Sequence, residues 1–267
     1  MPFPDAPRVI YKKNPLDRVI CQLRFPPILR IEKDTPVEFQ EHIRDEFPEF
    51  KVKHELVLPL SLKKHKENSA EVPQQIVPTE TINYEFSSED NCWTVNLTRT
   101  FLALTTKKYT RRSDFNEHLK GPLTALLDIY KPAYFSRLGL RYVDIIRRSL
   151  LNLKKEPWNK LLKPHILGFL GSSDVYKNIQ SFDAKCEILL KDRSSIARIV
   201  TGLVEWKENN NEQCFLIDSD FYNTNKITPP TEKKVMKKLE YFQVRASRLI
   251  QWLITKKLHK AMEPEKV

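Results

Sequence analysis

A chain of 267 residues with 40% hydrophobic and 30% charged residues can bury a sizeable core, and its balance is that of a folded protein, not a disordered one. Forty-five Lys and Arg against 34 Asp and Glu leave a net charge of +11, which favours acidic partners: nucleic acid, anionic lipid or an acidic protein face. Five glycines against eighteen prolines argue against glycine-cradled phosphate sites, and with no apolar run near the ~20 residues of a membrane span and no apolar leader, the expected setting is the cytoplasm, without a membrane partner.

The first expected element is a strand over 19–25, closed by Pro26 and Pro27, with 28–31 extended beyond it. A helix follows, with Thr35 as N-cap, Pro36 in its first position and Glu38 completing a capping box, buried along Phe39, Ile43 and Phe47 and ended by Pro48. Alternation over 51–60 predicts a strand, and the polar stretch 63–80 reads as an exposed loop. A hairpin comes next, 81–86 with 92–109, the second arm long enough to require a bend near Thr100. Phe115, Leu119, Leu123, Leu126 and Tyr130 mark a helix over 111–130, which Gly121 and Pro122 should kink or split. A strand over 134–147 closes this half.

The second half follows the same grammar. A short helix from Pro157 is disturbed by Pro164, a three-stranded meander covers 179–191, 196–206 and 213–222, and an amphipathic helix spans 231–260. That helix holds nine basic residues against two acidic ones, with Val235, Leu239, Phe242, Ala246, Leu249 and Leu253 along one stripe. The expected fold is α+β: two similar half-domains, 1–150 and 151–267, with antiparallel sheets each backed by a long helix, or one fused unit.

Four features could carry function. On the last helix Trp252 projects into the basic arc beside Arg245, Arg248 and Lys256, a set suited to stacking a base or gripping a partner chain, although an indole packed by an adjacent loop or by the helix of the other half also accounts for it. Asp218 and Asp220 share a strand face, as a metal-binding or acid–base pair would, but acids also gather beside basic elements for structural reasons. Arg137 and Arg141 flank Gly139 on one strand face, an anion-binding candidate unless each pairs internally, with Asp144 or Asp183 available. The four cysteines and six histidines are scattered without ligand spacing, so buried free thiols are expected and neither metal nor cofactor is indicated.

The blocks YKKNPLDRVICQLRFPPILRI, PVEFQEHIRDEFP, YFSRLGLRYVDII, FLIDSDFY and LIQWLITKKLHKAMEP, in this order, resemble a family of sporadically distributed, uncharacterised prokaryotic proteins of about this length. The resemblance runs from Tyr11 to Pro264. It implies bacterial or archaeal origin and an accessory setting such as phage defence or a toxin–antitoxin operon, and it brings no catalytic residue. The expectation is therefore a non-enzymatic interaction or regulatory subunit that binds an acidic protein partner from the same operon through its last helix. Nucleic-acid binding through the same helix is the alternative, and a metal-dependent nuclease or phosphotransferase using Asp218 and Asp220 ranks behind both.

Overall fold

The computed structural model describes residues 2–57 and 79–266. In chain order its first half comprises β1 (Val9–Tyr11), β2 (Leu16–Arg24), α1 (Arg30–Lys33), α2 (Val37–Ile43), β3 (Glu49–Val57), β4 (Thr79–Ser87), β5 (Trp93–Leu97), β6 (Phe101–Thr106) and α3 (Arg112–Ala125). The second comprises β7 (Arg137–Ile146), α4 (Trp158–Leu161), α5 (Pro164–Leu167), β8 (Asp183–Leu189), β9 (Ser195–Trp206), β10 (Glu212–Asn223), α6 (Glu232–Leu253), α7 (Lys256–Ala261) and β11 (Pro264–Lys266).

The fold is α+β, as the patterning predicts, but the strands of both halves lie in one antiparallel sheet instead of two. Its order is β3-β4-β5-β6-β2-β7-β10-β9-β8. Each half runs through an opening strand, short helices, a meander and a long helix, and each opening strand pairs with the last strand of its own meander. The two opening strands, β2 and β7, then pair with each other at the centre and join the halves. The chain ends meet separately, β1 pairing with β11.

Alternation decides which face is buried. Val19, Cys21 and Leu23 of β2, Leu138 and Leu140 of β7, and Phe215, Ile217 and Phe221 of β10 are all buried on one side. The helices contact that side, with Phe39 on Phe86, Trp158 on Phe215 and Phe242 on Phe221. The other side carries polar pairs such as Lys53 with Glu85 and Asn96 with Asn83.

Several local expectations are corrected. The capping box at Thr35 does not form: Pro36 occupies the cap position with no side-chain bond, and the Thr35 carbonyl accepts from Val37 N–H. Residues 30–33 are a helical turn instead of extended chain, and β1 and β11 carry no strong sequence signal. The long second arm of the hairpin is two strands, because Thr98 Oγ1 accepts from the Thr100 and Phe101 amides and turns the chain there. Pro122 sits inside α3 without ending it, and the helix continues into a π-helical turn, Leu126–Tyr130, stopped by left-handed Lys131. The loop expected over 63–80 lies outside the described residues except for its last two positions, which begin β4; positions 58–60 of the preceding predicted strand also lie outside. All four cysteines are free thiols, but only Cys21 and Cys214 are buried, while Cys186 is exposed on edge strand β8.

The predicted helix over 231–260 is two helices. Thr231 Oγ1 caps α6 by accepting from Lys234 N–H, and the chain extends at Ile254, where the Leu253 carbonyl accepts from Lys163 and Thr255 N–H donates to Leu161. Thr255 then caps α7 through Leu258 N–H. Periodicity cannot show this break, since the bonds that replace the helical ones come from residues some ninety positions earlier in the sequence.

Phe242 has no exposed surface and sits mid-stripe against the central sheet. Phe242→Ala should destabilise the protein by about 3–5 kcal/mol, read as a lower urea midpoint with the slope unchanged. A loss under about 1 kcal/mol would mean that α6 is not fixed by this stripe.

Candidate functional site

The predicted arc on the last helix is largely engaged within the chain. Arg245 is buried, stacks over the Tyr241 ring and donates to the Tyr241 carbonyl at 2.7 Å. Arg248 pairs with Asp5 at 2.7 Å. Trp252 is half-buried between Phe3, at 5.7 Å, and His165, stacked at 4.1 Å. Of the four residues only Lys256 is exposed. An N-terminal arm is responsible: Phe3 is buried beside Trp252, Asp5 holds Arg248, and the Pro7 carbonyl accepts from Gln251. The sequence offers no cue that eight residues near the start cover a helix near the end.

The acidic pair and the arginine pair are one feature. The antiparallel register sets β7 beside β10 with Arg141 opposite Asp220 and Gly139 opposite Tyr222. Both arginines lean along the strand: Arg137 Nη2 donates to both oxygens of Asp220 (3.1 and 2.8 Å), while Arg141 donates to both oxygens of Asp218 (2.7 and 2.5 Å). Asp144 and Asp183, the partners considered from sequence, are not used. A side chain at Gly139 would sit 2.3 Å from the Arg137 guanidinium, so the hollow that an incoming anion could have entered is filled by Arg137 itself. Tyr222 lies between Arg137, at 4.9 Å, and Arg198, at 5.4 Å, and Arg198 donates to Glu187. The result is a ladder of arginine–carboxylate ion pairs across the four strands β7, β10, β9 and β8, of which Arg141–Asp218 is the two-nitrogen fork. With each carboxylate chelated by a guanidinium, Asp218 and Asp220 do not present free oxygens to a metal, and among the described residues no cluster of three or more His, Cys, Asp or Glu has metal-binding geometry.

On the opposite, helix-covered face, a cavity of about 300 Å³ opens between α6, the arm, the start of α3 and the central strands. Asp144 is at its inner wall. It follows Leu138, Leu140 and Tyr142 on the buried phase of β7, is 6% exposed, and accepts no hydrogen bond among the described residues. Burial, and then the charge of Asp218 through the sheet, push its carboxyl up from 3.8 to about 7. The hydroxyl of Tyr11, which shares a hydrogen bond with His259 Nδ1 at 2.8 Å, is likewise raised by burial and then by the Asp144 charge. Tyr142 is buried beside Asp144, and its hydroxyl is also raised, by burial first. Buried Gln243 lines the same space with its Oε1 unpaired among the described residues, its Nε2 donating to Asn116. Toward the opening stand Arg8 and Arg111, both exposed and without an ion pair or hydrogen bond from their side chains among the described residues, with Arg112 bound to Glu240 and Arg248 to Asp5.

A chain searched for nucleophiles and ligand spacing does not draw attention to Asp144, yet a signal was present. In RLGLRYVDII the apolar phase is Leu138, Leu140, Tyr142, Ile146, and Asp144 is the acid standing on it. Arg8, Tyr11 and Arg111 have no comparable signal. Scans of the chain against protein-family models and against curated proteins find no match.

Two outcomes follow. Gly139→Ala should displace the Arg137 guanidinium and cost about 1–2 kcal/mol by the loss of its partly buried ion pair with Asp220, and in a double-mutant cycle the loss should vanish in an Arg137→Met background; full additivity would show that the glycine serves something else. For Asp144 the unfolded chain releases its proton near pH 4 and the folded chain near 7, so stability falls as pH rises between these values and is level above them. Asp144→Asn should therefore be more stable than wild type by roughly 2–4 kcal/mol at pH 8, the gap closing by about pH 3.5. Urea melts at both pH values measure it, and equal stability at pH 8 would mean the carboxylate is compensated.

Proposed function

We propose that this protein is a non-enzymatic, regulatory binding subunit of an accessory prokaryotic system, and that the cavity beside Asp144 is where it takes up a small ligand. One observation carries the reading: a carboxyl group 6% exposed, facing a cavity of about 300 Å³, with no partner among the described residues. An unpaired buried charge is costly, and burial is retained against stability mainly where a ligand completes the site. Volume and lining fit a small-molecule pocket, largely apolar with a few converging polar groups.

The absence of catalytic roles is supported by how the candidate residues are spent. Asp218 and Asp220 are held by Arg141 and Arg137, so the acid pair expected to do acid–base or metal chemistry is engaged within the sheet. Partner binding through the last helix remains part of the proposal, at a different place from the arc expected. Lys233 and Lys237 on the first turns of α6, with Lys256 and Lys260 on α7, are exposed and suit an acidic protein face. The same α6 supplies Gln243, Ser247 and Arg248 to the cavity wall, so a ligand there touches the element that would meet the partner.

A thermal-shift screen across amines, amino acids, nucleosides, nucleotides and sugars tests the reading. At least one class should raise the midpoint of the wild type and leave Ser219→Leu unmoved, since Ser219 is buried on the cavity wall and leucine fills it. If every class acts alike on both proteins, or none acts on either, the cavity is not a ligand site.

A further inference from the structure

The chemistry around the cavity is graded from its floor to its mouth. At the floor, Asp144 presents two acceptor oxygens and Gln243 a third in Oε1, none of them paired among the described residues. Unpaired acceptors in a buried place select N–H donors, and a carboxylate is matched best by two parallel N–H groups on a planar edge. Tyr11, Tyr109 and Tyr142 stand on the lining, aromatic surfaces suited to a flat group. Tyr142 meets Tyr109 edge-on at 5.8 Å, so these two rings are fixed relative to each other.

The mouth has the opposite sign. Arg8 and Arg111 are exposed with their guanidinium groups unpaired among the described residues, and both line the opening. Arg111 is also the N-cap of α3, whose 14 residues begin here without a side-chain cap. The first-turn amides and the positive end of the helix dipole thus add to the two arginines. Of the acidic groups nearby, Glu240 is paired with Arg112 and Asp5 with Arg248, while Asp114 in the first turn of α3 accepts from the Thr110 hydroxyl and keeps its charge, so the two arginines carry most of the attraction.

From this grading, and resting on the proposed small-ligand reading, we infer that the cavity binds a small molecule with a planar, paired N–H edge at one end, held by Asp144, and an anionic group at the other, held by Arg8, Arg111 and the start of α3. A guanidinium with a carboxylate tail has this chemistry, and so does a guanine base with a phosphate. L-arginine and guanosine monophosphate are the simplest forms of each, and the site's recognition is shared between them until the two are compared.

Isothermal titration of the full chain at pH 8 with each compound is the test. One of them should bind with an affinity that falls as salt is raised. Asp144→Asn, whose fold is checked by its melt, should weaken that compound at least tenfold. Arg8→Gln with Arg111→Gln should weaken it about tenfold and flatten the salt dependence. The same double variant should leave the form lacking any charge at that end, n-butylguanidine or guanosine, unchanged. Binding of L-arginine only, or of guanosine monophosphate only, identifies the source. Failure of both at millimolar concentration, or equal binding to Asp144→Asn, overturns the inference. If in that case another class still stabilises wild type and not Ser219→Leu, the ligand site stands and only its assigned chemistry falls; if none does, both fall.

Discussion

The antiparallel pairing of β2 with β7 is the constraint on which the rest of the molecule depends. These strands open the two halves, and each holds the meander of its own half on its outer edge. Their pairing makes one sheet of two partial ones and gives both long helices a common floor. Because side chains alternate strictly along a strand, the register that buries Leu138 and Leu140 also turns Asp144 inward and Arg137 and Arg141 outward. A one-residue slip would exchange the cavity acid for the ladder.

The two faces of the central strands therefore hold opposite solutions to the same electrostatic problem. Outward, Asp218 and Asp220 of β10 are each held by a guanidinium, and Arg137 also packs on Tyr222. Those charges are paired and partly solvated, so they cost little and fix the register of β7 against β10. Inward, Asp144 lies against tyrosines and apolar helix residues without a counter-ion among the described residues, and its proton affinity rises accordingly. A fold that can satisfy its acids so completely on one face, and leaves one unsatisfied on the other, concentrates its functional potential there.

Much of the architecture was legible in the residues. The order of strands and helices, the meander of the second half and the apolar stripe of α6 all follow from period and turn chemistry, which act over a few residues. The candidate site was legible only in fragments. Asp218, Asp220, Arg137 and Arg141 attract attention individually, but that they neutralise each other depends on register between strands more than seventy positions apart. Trp252 and Arg248 look free on a helical wheel, and they are engaged because Phe3 and Asp5 come back across the helix. Asp144 was visible as a break in an alternating pattern, and its isolation was not, since an unpaired state is a property of everything packed around it.

The sequence by itself determined the fold class, the basic charge, the elements and which face of each is apolar, because these are set by local sterics and by the partition of side chains between water and core. The tertiary structure alone decided that two halves share one sheet, that the last helix breaks at Ile254, that the outward charges are spent, and that an arm closes over a cavity with an acid at its floor. Each of those rests on a contact between distant residues, and such contacts are chosen by packing and by the pairing of buried polar groups, which no local window of sequence contains.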